Sequence, residues 1–452
     1  MNNPLTFLST NQHSDPVNFK EALFTGLAPD GGLFMPEKLP ALSLKELLSF
    51  RNSSYPEIAA TILSKFLDEP DYSDLLAMAS DAYNFDIPIE QVNDIDFIIR
   101  LDRGPTASFK DFAARMMARL MHFYWQKESR QLNILVATSG DTGSAVANAF
   151  YGLNNITVTI LFPENEVTSF QRRQMTTLGG NIKVLAIAGK FDDCQALVKQ
   201  AFLDPQLKDK NLTSSNSINI GRLLPQSVYY FYAWSRLTAD DPYEPLIFSV
   251  PSGNFGNLTG GLLAKKMGLP VPYFIAATNE NDEFPRYLNT GQYQKISPSR
   301  NCISNAMNVG HPSNMPRIIS LFGGQMDERG AIHFQPDLET LRKVIRGFSI
   351  SDEETRHTIL SVWKSYKTFL EPHGAVGWKA LSKYRKADAG RPMKGVVLET
   401  AHPVKFSEEI CKVLGFGPAV PENLSSLLTK TEHYSPIPFD YPFFQNLMRK
   451  TL

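Results

Sequence analysis

The chain has 452 residues, 45 Lys and Arg against 46 Asp and Glu for a net charge of −1, with 43% hydrophobic and 20% charged residues. That length predicts two to four domains, and the balance is that of a folded globular protein with no basic field to hold a nucleic acid. No 18 apolar residues run without interruption, and Met1 to Phe19 lacks the basic and apolar regions of a secretory signal, so neither a membrane span nor export is expected and a cytoplasmic location is.

Residues 1–90 are rich in Pro and polar punctuation and contain helix-like runs at Ser43 to Phe50, where Ser43 and Glu46 have capping-box spacing, and at Pro56 to Leu67. They predict a small, mostly helical N-terminal domain. From 91 to 452 the pattern changes. Continuous apolar, β-branched runs at 97–101, 133–138, 156–162, 182–187, 246–250, 274–278 and 395–400 alternate with helical stretches. This predicts an α/β core of doubly wound parallel sheet, with a smaller lobe at about 125–215 and a larger lobe from the remainder. Ligands of such sheets bind beyond the carboxyl ends of the strands, so the loops there are the candidate sites. The closing stretch, Ser435 to Leu452, is aromatic and is expected to cover the protein's own core. Cys194, Cys302 and Cys411 are too far apart for a metal site or disulfide framework and read as buried small hydrophobes.

Three loops carry the chemistry. PSGNFGN, Pro251 to Asn257, joins a buried strand to a helix. Its glycines and the helix N-terminus suit a phosphate, although a turn that needs positive φ explains them equally well. It contains neither nucleotide fingerprint. TSGDTG, Thr138 to Gly143, offers hydroxyls and amides to an anion, or a plain N-cap through Asp141 or Thr142. In GPTASFKDF, Gly104 to Phe112, Lys110 falls near a helix start, where the positive dipole end and the neighbouring Phe109 and Phe112 disfavour an ammonium. It is either a primed Schiff-base lysine or a surface lysine paired with Asp111. A Schiff-base lysine beside a phosphate cradle suits an aldehyde cofactor with a phosphate tail.

GPTASFKDF, TSGDTG, SNSINIGR, VPSGNFGN, FIAATN, SNAM, EPHGAV and TAHPVKF, in this order, resemble the long-chain bacterial and fungal threonine synthases, as does GLAPDGGLFMPEKLP near the start. The resemblance implies the fold type II, tryptophan synthase β-like, of enzymes that bind pyridoxal 5′-phosphate. It makes Lys110 the cofactor lysine and proton carrier. Gly253, Asn254, Phe255, Gly256 and Asn257 match the loop around the cofactor phosphate, Thr400 the hydroxyl at the pyridine nitrogen, and Asp141 the residue beside the phenolic oxygen, its protonation left open. Ser139 matches the substrate-carboxylate loop. Thr138, Thr142, Asn216, Ser217 and Arg222 match the pocket for the substrate's own phosphate, with Asn216 and Ser217 expected at a helix start and Arg222 one turn in. The implied reaction takes O-phospho-L-homoserine and water to L-threonine and phosphate, in a monomer or homodimer. The alternatives are a phospho-lyase ending at 2-oxobutyrate and ammonia, or a non-catalytic protein of the same fold. Lys190, His373 and His402 have weaker claims, and all eight histidines read as structural or solvated. Arg103, where many relatives carry His, implies an extra cation near Lys110.

Overall fold

A computed structural model describes residues 5–126, 128, 130–387 and 393–452, so the first four residues of the N-terminal stretch lie outside the described residues. The N-terminal region pairs Phe7–Ser9 with Phe34–Pro36 antiparallel and continues in the helices Phe19–Thr25, Leu44–Ser49, Tyr55–Leu63 and Tyr72–Ala82. Ser43 caps its helix as its spacing suggests: its side chain accepts from the Glu46 amide, and the Glu46 carboxylate accepts from the Ser43 amide. The next helix is shorter than expected, ending at Leu63 rather than Leu67. The amides of Lys65 and Phe66 bond back to Ile62 and Leu63, tightening the final turn and folding Phe66 into the core.

All seven predicted strands are present, and they divide between two sheets. One has the order Ile345–Ser349, Phe274–Thr278, Leu246–Pro251, Lys394–Glu399, Asp96–Arg100, Ile89–Gln91, parallel except for the last pair. The other is wholly parallel, in the order Ser435–Pro438, Ile182–Ala188, Ile156–Pro163, Leu132–Ala137, Leu212–Ser214. The strands missed from sequence are the sheet edges. Ser435–Pro438 holds two prolines, tolerable only where one side of the strand needs no ladder donors. By adding that strand, the chain's end returns to the smaller sheet. The following helix, Tyr441–Thr451, sinks Phe444 and Met448 against Cys194 and Leu197, while Phe439 and Phe443 stay half exposed. The cysteine expectation fails once: Cys194 and Cys302 are buried, but Cys411 lies on the exposed side of the helix Ser407–Leu414.

The helix Lys110–Trp125 connects the N-terminal region to the core. Phe112 in its first turn is fully buried and meets Tyr55, Phe85 and Tyr229 with ring centroids 5.4, 5.2 and 5.6 Å away. Burying such a ring stabilises by about 1.5–3 kcal/mol, which fixes the helix start where Lys110 stands. Among the described residues no helix is long and apolar enough to cross a membrane, and no group of His, Cys, Asp and Glu could hold a metal ion.

Candidate active site

A cavity lies where strands of both sheets end. Lys110, Thr138, Ser139, Asp141, Thr142, Asn216, Ser217, Arg222, Gly253, Asn254, Phe255, Gly256, Asn257 and Thr400 all line it. The smaller sheet contributes the loop between Leu132–Ala137 and the helix Asp141–Phe150. The larger contributes the loop between Leu246–Pro251 and the helix Gly256–Lys266, and Thr400 just past Lys394–Glu399.

Each loop resolves an ambiguity left by the sequence. In the first, the hydroxyl oxygen of Thr138 accepts from the amides of Gly140 and Gly143 at 2.9 and 2.8 Å. Neither Asp141 nor Thr142 caps the helix, so both side chains are spared for the cavity. In the second, Phe255 takes φ +59° at the helix entry. Gly253 is pressed so closely on a neighbouring loop that a Cβ there would stand 2.9 Å from Met307 Cα. Asn257 accepts at Oδ1 from the hydroxyls of Tyr229 and Tyr230 at 2.6 and 2.7 Å, and its buried Nδ2 has no protein partner. The third ambiguity closes against the surface reading of Lys110. Asp111 is buried and accepts from the amide and hydroxyl of Thr106, at 2.8 and 2.6 Å, and forms no ion pair with Lys110. Lys110 turns inward, with Nζ 3.8 Å from Asp141 Oδ2 and 15% of its side chain exposed.

The electrostatics follow from that burial. Desolvation pushes the Lys110 ammonium down to about 8, with Lys405 and Arg222 adding to the effect against the pull of Asp141. Asp141 is opposed by burial as well, yet Lys405 and Lys110 hold its carboxyl well below the usual carboxylate range, so it is an anion. Arg222 is 2% exposed, and burial lowers it to about 10. It donates to the Ser215 carbonyl at 2.6 Å and has no carboxylate in ion-pair reach among the described residues, and its Nε is unpartnered. A buried, unneutralised guanidinium beside a cavity is an anion receptor in waiting. Asn216 and Ser217 do not start a helix as expected. The helix begins at Ile220 with Asn219 as its cap, and Asn216 instead ties its loop to the Ala137 carbonyl at 2.7 Å. Arg103 is not a second cation at Lys110. It is 40% exposed and stands 3.7 Å from both Asp102 and Glu90.

Sequence reasoning set aside or passed over four further residues. His373 lines the cavity, bonded at Nδ1 to Glu371 and accepting at Nε2 from the Ala306 amide at 3.2 Å. Glu371 also meets the Thr400 hydroxyl at 3.4 Å. Gln171 donates to Asp141 at 3.0 Å, and Lys405, wholly buried, to the same oxygen at 2.9 Å. The signal for Lys405 and Glu371 was their place in TAHPVKF and EPHGAV; nothing local marked Gln171. Lys190 is exposed, and only its neighbour Phe191 reaches the cavity.

The model for pyridoxal-phosphate dependent enzymes matches residues 90–399, and those for the threonine synthase N terminus and C-terminal region match 6–83 and 374–446. A threonine synthase of Haemophilus influenzae is 41% identical over 416 residues, 91% of either chain. The chain belongs to the threonine synthases. It is a pyridoxal-phosphate-dependent enzyme and a lyase, with the type II fold of that class. The crystal structure of a threonine synthase from Escherichia coli matches with a TM-score of 0.89 at 38% identity, covering 99% of this chain and 100% of that one. A pyridoxal-phosphate-bound threonine synthase from Brucella melitensis matches with a TM-score of 0.90 at 34% identity, over 99% of each chain. The cavity fits the cofactor on its own chemistry. It offers one lysine of lowered proton affinity, a glycine-spaced helix start and the free donor of Asn257, which together meet an aldehyde and a phosphate.

Proposed function

We propose that this chain converts O-phospho-L-homoserine and water to L-threonine and phosphate. Lys110 carries the cofactor, the loop Gly253, Asn254, Phe255, Gly256 and Asn257 takes its phosphate, Thr400 meets the pyridine nitrogen, and Asp141 faces the phenolic oxygen. The observation that carries the substrate assignment is Arg222, a buried guanidinium with no carboxylate among the described residues, on the same cavity wall as Lys110. A cofactor phosphate needs one anion site, and a glycine-rich helix start already supplies it. A second, cationic site implies a substrate with a phosphate of its own.

When bound, the cofactor supplies an electron sink for negative charge at Cα. Lys110, whose lowered proton affinity frees its amine in about a tenth of molecules at pH 7, takes the Cα proton and then one from Cβ, whose electron pair expels the γ-phosphate, and Cγ takes up a proton to become the methyl group. Arg222, with Thr138, Thr142, Asn216 and Ser217, orients the γ-phosphate and meets the charge that develops as it departs. Ser139 holds the substrate carboxylate. Water then adds at Cβ. The same reading makes the protein a cytoplasmic enzyme that acts on a small molecule as a monomer or homodimer, without nucleic acid or membrane.

The test follows phosphate, L-threonine and 2-oxobutyrate together from purified protein, pyridoxal phosphate and O-phospho-L-homoserine. Threonine in step with phosphate is expected. Phosphate with 2-oxobutyrate would replace this reading by the phospho-lyase, and no phosphate release would leave a fold and cofactor without this substrate.

A further inference from the structure

Lys110 lines the cavity and shares one carboxylate, Asp141, with the buried Lys405. Asp141 Oδ1 accepts from Lys405 Nζ at 2.9 Å and from Gln171 at 3.0 Å, whereas Oδ2 is 3.8 Å from Lys110 Nζ. Lys405 and Asp141 are both buried, at 0% and 2% side-chain exposure, and Lys405 comes from the turn that follows Thr400. The shorter bond, the deeper burial and the second donor all place the anion with Lys405 rather than with Lys110. Lys405 and Asp141 are thus each other's close buried partner, and removing either charge would leave the other without it. We propose that Lys405 is a positioning residue of this site, whose ammonium claims the Asp141 carboxylate and so leaves Lys110 as the lysine of the pair that can release its proton.

The charges around the triad agree with this division. Arg222 and Lys405 repel a proton on Lys110, and Glu371 attracts one from farther off. His373 faces Asp141, while Asp111 and His402 feel the Lys405 charge. With Lys405 and Asp141 both ionised, their charges largely cancel at Lys110, which then responds mainly to its own burial. Neutralising Lys405 alone would hand the whole carboxylate to Lys110, bind its proton more tightly, and silence it as a nucleophile and base at neutral pH.

The inference rests on Lys110 being the cofactor lysine, which borohydride reduction of the holoenzyme followed by peptide mapping checks separately. The test itself needs no cofactor and no turnover. The full chain freed of pyridoxal phosphate is acylated with acetic anhydride over a pH series, and Lys110 modification is read by mass spectrometry. The wild-type midpoint is expected at about 8. Lys405→Met should raise it by about one unit or more, and Lys405→Arg should restore it. An unchanged midpoint in folded Lys405→Met overturns the proposal, as does failure of Arg to rescue. Removing one partner of a buried pair can unfold a protein, so the uncharged double variant Lys405→Met, Asp141→Asn carries the test if the single one does not fold. Its Lys110 midpoint is expected within about half a unit of wild type. A fall of about one unit or more would mean that Asp141 alone governs Lys110 and that Lys405 is a bystander.

Discussion

The cavity is bounded by two charged regions of opposite design. On the side of Lys110, two lysines, Lys110 and Lys405, share one carboxylate, Asp141, and Arg222 has none in ion-pair reach among the described residues. Behind Thr400, three carboxyl groups, Glu371, Glu399 and Asp102, gather near two arginines: Arg100, 2.9 Å from Glu90 and 3.7 Å from Glu399, and Arg103, 3.7 Å from Asp102. The first region has more positive charge than the protein neutralises, which suits a site meant to receive anions from solution. In the second, burial favours the protonated form of Glu399 and, less strongly, of Asp102. Burial and the neighbouring Glu371 push Glu399 well above the ordinary carboxyl range, and burial pushes Asp102 up to about 6 against the pull of Arg100 and Arg103. One side awaits an anion; on the other, burial holds a proton on Glu399.

The largest break in this contrast is Lys110→Ala. It removes the cofactor link and the proton carrier together, and turnover is expected to fall by at least about 10⁴-fold, with loss of the yellow colour of the bound cofactor. A purified variant that keeps both colour and activity would transfer the role to Lys405, the other lysine at Asp141. A narrower break is Arg222→Met, which keeps the bulk of the buried side chain but not its charge. On the proposed function, kcat/KM for the phosphorylated substrate drops by about 10²–10³-fold, and competitive inhibition by inorganic phosphate disappears while cofactor absorbance is retained. Phosphate inhibition at wild-type strength in this variant would show that the guanidinium serves the fold rather than the ligand.

How much of this contrast the sequence disclosed depends on how local each feature is. The seven continuous apolar strands were readable because a strand buried on both faces needs no partner to look like one. Edge strands such as Ile345–Ser349 and Ser435–Pro438 were not, since only pairing with Phe274–Thr278 and Ile182–Ala188 makes them strands. The residues that line the cavity were readable too, because they stand in short Gly, Ser, Thr and Asn loops at the ends of those strands. Their electrostatic partners escaped notice. Lys405 is 264 positions from Asp141, and the deprotonated state of Asp141, left open by the motif, follows from its contacts with Lys405 and Lys110. His373 looked like any histidine until Glu371 and the Ala306 amide fixed both ring nitrogens against the cavity wall. Likewise Arg103, which looked like a cation for Lys110, is claimed by Asp102 and Glu90.

The subtlest probe addresses the acidic wall. Asp102 is raised from 3.8 to about 6, so the folded protein binds this proton more tightly than the unfolded chain does. The associated stability is complete below the unfolded value, near 4, and drains away as pH climbs through about 6. Asp102→Asn cannot ionise and keeps the shape of the protonated acid, so it should escape that loss. Thermal unfolding of the two holoenzymes from pH 5 to 7.5 is therefore expected to diverge, with the wild type losing about one to three degrees relative to the variant. Comparing the two proteins cancels the titration of every other group that the substitution leaves alone. Parallel curves would mean that Asp102 is already ionised at pH 5, held by Arg100 and Arg103. The acidic wall would then be a charged one, and its contrast with the lysine side would be one of sign and no longer one of protonation.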